Sequence, residues 1–175
     1  TRVINAFATV PSRGDWVWTL VLLLIAALSI IPLGFKIDFL KVELPGISRW
    51  SAARVALISL FLPATAEEIF FRVLLIPHAA EQSSLIYQSL AIAISLILFV
   101  AYHPLNAKFL MRSARGTFDT LPFLIFATIL GLVCTAAYLE SGSIYPPIFL
   151  HWIIVIIWLL CFGGYRRLYA KAGER

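Results

Sequence analysis

The chain has 175 residues, of which 61% are hydrophobic and 13% charged, with a formal net charge of +5 and a mean hydropathy of +0.93. A soluble domain carries roughly 25% charged residues, so an ordinary cytosolic enzyme, a disordered tail and a nucleic-acid module are all excluded. The length allows one domain, and a bilayer span takes about 20 apolar residues. The chain therefore reads as an all-α, polytopic integral membrane protein.

The first fifteen residues are too polar for a signal-peptide core. Residues 16–35 form the first span, with Trp16 and Trp18 as interfacial anchors. Residues 35–50 mix apolar and charged side chains, turn at Pro45–Gly46 and read as an interfacial segment. The second span, 52–78, is apolar except for Glu67, Glu68 and Arg72. Runs at 84–102, 120–139 and 141–165 supply three more, the last entering the membrane near Pro146–Pro147. Pro is accepted in a first helical turn because its missing N–H has no partner there anyway. About five transmembrane helices result. They divide the chain into an N-terminal span with its interfacial segment (1–51), a core (52–165) and a basic tail (166–175).

Basic residues set the expected orientation. Arg2 and Arg13 lie on one side. On the other lie Lys36, Lys41, Arg49, Arg54, Lys108, Arg112, Arg115, Arg166, Arg167, Lys171 and Arg175, eleven against two. This asymmetry places the N-terminus outside and the C-terminus in the cytoplasm, and it accounts for the net charge without nucleic acid. Cys134 and Cys161 sit in apolar runs without metal-ligand spacing and read as small buried hydrophobes.

Three charges within six residues of an apolar segment require a reason, because each costs about 2.5–3.5 kcal/mol at mid-bilayer. Glu68 and Arg72 are four apart, with the acid N-terminal to the base, and so share a helix face as an ion pair. Glu67 is turned about 100° away and meets Phe71 at the same spacing, which leaves it without a cation in its own helix. Such a carboxyl suits a general base or acid. Ionisable groups inside spans are functional candidates, and His103 and His151 are available as partners. The plain alternative is a structural polar knot between helices. His78, after Pro77, is placed at an exposed helix end with no role. Thr65-x-x-Glu68, following Pro63, matches a capping box and raises the possibility that the second span breaks and restarts there.

These residues resemble the CAAX-processing and bacteriocin-processing (CPBP) family of intramembrane proteases, related to the type II CAAX prenyl endopeptidases. Glu67-Glu68-Ile69-Phe70-Phe71-Arg72 is similar to the family's E-E-x-x-x-R motif, and Phe99 to His103 to its F-x-x-x-H motif. His151 stands where the third motif begins, but Val155 occupies the position usually held by Asn or Asp. The resemblance covers about 52–160. It implies that Glu67 activates water, His103 orients that water, Glu68 and Arg72 form a supporting pair, and His151 stabilises the oxyanion. Asn106 is a candidate replacement for the missing donor. The implied enzyme is a membrane-embedded, glutamic-type endopeptidase without a cofactor, and zinc held by Glu67, His103 and His151 is the second reading.

The expected partners are the lipid bilayer and a membrane-associated peptide or protein substrate, with no nucleic acid. The expected location is a bacterial cell membrane, with a thylakoid membrane as the other candidate. Two other functions use the same residues: a non-catalytic immunity or partner-binding protein, which Val155 favours, and a proton-coupled transporter, which the lack of internal repeats disfavours. One conflict stands. In straight spans, Glu67, His103 and His151 fall at depths differing by roughly 10 Å, whereas catalysis needs them together.

Overall fold

Capping chemistry starts the first long helix. In the computed structural model, which describes residues 2–169, the Ser12 hydroxyl accepts from the Asp15 N–H and the Asp15 carboxylate accepts from the Ser12 N–H. Lys171 and Arg175 of the expected tail lie outside the described residues. A short helix α1 (Arg2–Ala8) precedes this cap, and α2 runs Arg13–Lys36. Beyond α2 the chain folds back sharply: Phe39 and Leu40 both donate to the Gly34 carbonyl, and a Cβ on Gly34 would collide with Leu40. An irregular segment then leads to α3 (Arg49–Ser59), capped by Ser48.

The second span is broken. Pro63 has no N–H to give, and the residue before a proline is pushed out of the helical region. Leu62 accordingly takes an extended conformation (φ −132°, ψ 104°). The chain restarts as π-helical turns at Leu60–Thr65 and Ile69–Leu74, flanking one α-turn at Ala66–Glu68. The break is the one the sequence raised, but its capping box does not form. The Thr65 hydroxyl donates back to the Leu60 carbonyl instead, because the wide π-turn brings that carbonyl within reach.

Three further helices complete the bundle: α4 (Leu85–Phe109), α5 (Leu121–Ser141) and α6 (Tyr145–Cys161), followed by a short α7 (Gly164–Tyr169). Three helices, α2, α4 and α5, are long and apolar enough to cross a membrane; α6 is apolar but shorter. The described residues contain no strand, only an isolated bridge between Glu43 and Phe162. The chain is thus an all-α polytopic membrane protein. Where the sequence predicts a continuous second span, the chain forms α3 and the broken segment instead.

Helix α5 is the centre. It packs on α2, α4 and α6, and it buries Ala127, Leu130, Val133, Cys134 and Ala137 against Leu22, Ala26, Phe71, Phe99 and Leu150. At one end of the bundle, Arg167 donates to the Phe39 carbonyl and Arg166 pairs with Glu43, so the first residues of the expected tail are packed against the interfacial segment. At the other end α1, which the sequence did not suggest, buries Ala6 against Val73, Ile76, Tyr138 and Ile144. There His78 is buried rather than exposed. Its Nδ1 accepts from the Ala80 N–H, so Nε2 donates to the Gly142 carbonyl.

Arg2 holds α1 in place through a two-pronged contact to Glu81, 2.6 and 2.9 Å, and a bond to the Leu74 carbonyl. That guanidinium holds the Glu81 carboxyl below its ordinary value. A depressed carboxylate contributes its stabilisation above its unfolded pKa and loses it as pH falls through the folded value. Amide-exchange protection of α1 is therefore expected to be constant above the ordinary glutamate value of 4.5 and to fall below it. Glu81→Gln is expected to abolish that step; a wild-type protein without the step would contradict the clamp.

Candidate active site

Each of the five polar residues singled out in the sequence is buried, none more than 8% exposed. The restart after the break carries Glu67 and Glu68, and the following π-turn carries Arg72. His103 is set well inside α4, which continues through Pro104 to Phe109 rather than ending near 102. His151 lies in the second turn of α6. The depth conflict disappears: His103 Nε2 and His151 Nε2 are each 3.9 Å from Glu67 Oε2.

Glu68 and Arg72 stand 3.2 Å apart, both at zero exposure. Arg72 Nε and Glu68 Oε2 are not aligned as a hydrogen bond, so this contact is Coulombic. Arg72 also donates to the Gly131 carbonyl at 3.1 Å and lies 4.5 Å over the Phe99 ring. Glu68 Oε1 accepts from His151 Nδ1 at 2.7 Å. The Phe99 carbonyl accepts from His103 Nδ1 at 2.9 Å. Both rings thus spend their Nδ1–H on an oxygen that can only accept, which fixes the tautomer by partner and turns Nε2 of each toward Glu67.

Glu67 Oε2 is buried and has no hydrogen-bond partner among the described residues. A separation of 3.9 Å is too long for a direct bond and within range of a bridging water. The same three atoms also form a chemically suitable zinc donor set, since their Nδ1 bonds match the outer partners of metal-bound histidines. Ligand atoms in a tetrahedral zinc site lie roughly 3.3 Å apart; both histidine nitrogens are 3.9 Å from Glu67, and the three atoms do not all come within 4.8 Å of one another, so the set is too wide for the ion as it stands. A different trio, Glu68, Cys134 and His151, has its potential ligand atoms within 4.8 Å. Its groups are already committed: Glu68 to Arg72 and His151, and the Cys134 thiol to the Pro147 carbonyl.

Glu67, His103 and His151 line a cavity of about 640 Å³, which Glu68 and Arg72 do not reach, a size typical of small-molecule and substrate pockets. Tyr102, Asn106 and Val155 also line it. Asn106 Nδ2 donates to the Tyr102 hydroxyl at 3.2 Å, while Val155 packs with Ala107 and Leu159.

Sequence reasoning missed two supports. Gly131 supplies the carbonyl that anchors Arg72, and a Cβ there would press at 3.1 Å on Leu96 and Phe99. Its signal was a lone glycine inside a helical run. Cys134, read only as a hydrophobe, places its sulfur beside Glu68 and His151.

The bundle thus buries two acids and two histidines together, with Glu67 and both histidines open to a cavity. The model of the type II CAAX prenyl endopeptidase Rce1-like family matches residues 49–157, well over half of the chain. The chain belongs to that family, and is a membrane-embedded CAAX protease by class. No curated protein and no solved structure matches it.

The buried pair gives a stability test. Removing one partner of such a pair leaves an uncompensated charge and costs about 3–5 kcal/mol. Arg72→Met is expected to lower the thermal midpoint in detergent strongly, and adding Glu68→Gln to recover part of the loss. An unchanged midpoint for Arg72→Met would show that the pair does not support the fold.

Proposed function

We propose that the protein is an intramembrane endopeptidase that hydrolyses a peptide bond in a membrane-associated peptide or protein, using Glu67 as its base. The observation that carries this reading is the unpartnered, buried Glu67 Oε2 facing two imidazole Nε2 atoms at 3.9 Å. A water between them gives one proton to the Glu67 carboxylate and points its other hydrogen at the His103 Nε2 lone pair. Its oxygen attacks the scissile carbonyl. The C–N bond then breaks, and Glu67 returns the proton to the leaving amine.

His151 stabilises the oxyanion in this scheme. With Nδ1–H held by Glu68, its Nε2 donates only when the ring carries both protons, and the Glu68 carboxylate balances that charge. Arg72 in turn holds Glu68 in place. The position of Val155 leaves the oxyanion one donor short of the usual family pattern, and Asn106 and Tyr102, one turn apart on the cavity wall, are the polar groups placed to replace it. We place the basic end of the bundle on the cytoplasmic side of a bacterial membrane, following the distribution of Lys and Arg.

Glu67→Gln preserves shape and removes the base. Peptide fragments from membranes containing the wild-type protein are expected to disappear in this variant, with a loss of about 10²–10⁴ in rate. Cleavage at the wild-type rate would refute the mechanism. A physiological effect that survived Glu67→Gln without cleavage would favour the immunity or partner-binding reading.

A second reading rests on residue chemistry, because Glu67, His103 and His151 are zinc-ligand types and both histidines carry the outer hydrogen bonds of metal-bound rings, although their atoms would have to draw closer. In that case the ion would be held by Glu67, His103 and His151 and would supply Lewis-acid activation of water. Exhaustive chelation is expected to leave activity intact; activity lost on chelation and restored only by added zinc would establish the metal reading instead.

A further inference from the structure

Among the described residues the cavity wall carries two formally charged side chains, Glu67 at its buried end and Arg54 at its exposed end. Arg54 has no hydrogen bond or ion pair among the described residues, unlike Arg2, Arg72, Arg115, Arg166 and Arg167. Along the same flank, Ile58 and Leu62 follow Arg54 at helical spacing; both are exposed and both line the cavity. The result is a track running from α3 into the first π-turn, with a cation at its head and exposed apolar surface below it. We infer that this limb of the cavity is a binding site for an anionic membrane lipid, with its phosphate on Arg54 and an acyl chain lying over Ile58 and Leu62.

The composition of the limb distinguishes this occupant from a peptide. Val55, Ile58, Leu62, Ile30 and Ile31 offer no polar side-chain atoms. Two serines of α3 also line the cavity: the Ser59 hydroxyl is spent on the Val55 and Ala56 carbonyls, and the Ser51 hydroxyl is paired with that of Ser48. A peptide backbone there would leave its N–H and C=O groups unpaired in an apolar setting. An acyl chain carries no such groups, and a phosphate supplies the charge that Arg54 lacks. Arg49, on the same helix but outside the cavity lining, is an internal control for general surface attraction.

The test reads binding, not cleavage, so it stands apart from the proteolytic proposal. The protein is reconstituted in nanodiscs of phosphatidylcholine with phosphatidylglycerol, extracted, and assayed for retained lipid by native mass spectrometry, with thermal midpoints checked for each variant. The wild-type protein is expected to keep phosphatidylglycerol in preference to phosphatidylcholine. Arg54→Gln is expected to lower that retention roughly tenfold, the loss of one charge-assisted contact. Ile58→Trp, with Arg54 intact, is expected to exclude the acyl chain and lower retention as well, while Arg49→Gln retains the lipid. Equal retention by wild type and Arg54→Gln, or equal loss in Arg49→Gln, would overturn the site. So would displacement of the lipid from Arg54 by an apolar peptide acid but not by its amide, since that would assign Arg54 to a chain terminus.

Discussion

The buried contact between Arg72 and Glu68 joins three parts of the molecule. Arg72 reaches α5 through the Gly131 carbonyl and α4 through the Phe99 ring, while Glu68 reaches α6 through His151. In a membrane interior no water competes for these groups, so each must be satisfied from within the protein. The pair itself is weak evidence of net stability, because desolvating both ions costs about as much as their attraction returns. What it supplies is position. With Arg72 fixed, Glu68 has one orientation, His151 has one tautomer, and Nε2 of that ring can point only toward Glu67.

The break at Leu62–Pro63 is the second constraint. A straight helix through 52–78 would present Glu67 to the bundle at a depth fixed by its distance from the interface. The extended residue and the flanking π-turns release that restriction and let the acidic turn meet α4 and α6 where their histidines lie. Irregular backbone at membrane depth is tolerated where it lines a cavity or is buried in protein, and this segment does both. π-Turns concentrate at functional sites for a related reason: the extra residue re-aims a side chain without ending the helix. The cavity then has two chemically different ends, a polar cluster within and a lone cation without, joined by apolar wall.

The architecture was legible because hydrophobic runs of bilayer length have few other uses. The four uncharged runs correspond to α2, α4, α5 and α6, and the proline pair marks the start of α6. Glu68 and Arg72 were legible as a pair because i,i+4 spacing is a local property. α1 was not legible: seven residues with little amphipathic pattern gain their order from contacts with Glu81, Tyr145 and the second span's end, all far away in sequence. His78 looked exposed for the same reason, since its partner, the Gly142 carbonyl, is 64 residues distant.

By itself the sequence determined that this chain is a helical membrane protein, where its long uncharged helices lie, and that Glu67, Glu68, Arg72, His103 and His151 are the polar groups whose burial needs explaining. Composition and local spacing suffice for that, because burial in lipid is decided by runs of side chains and helix faces by intervals of three and four. Only the tertiary structure decided that those five residues form one cluster. Their convergence depends on how far α4 extends beyond His103, on the geometry of a proline break, and on a glycine carbonyl on α5 that takes the Arg72 guanidinium. None of these is a local property, so no interval along the chain records them.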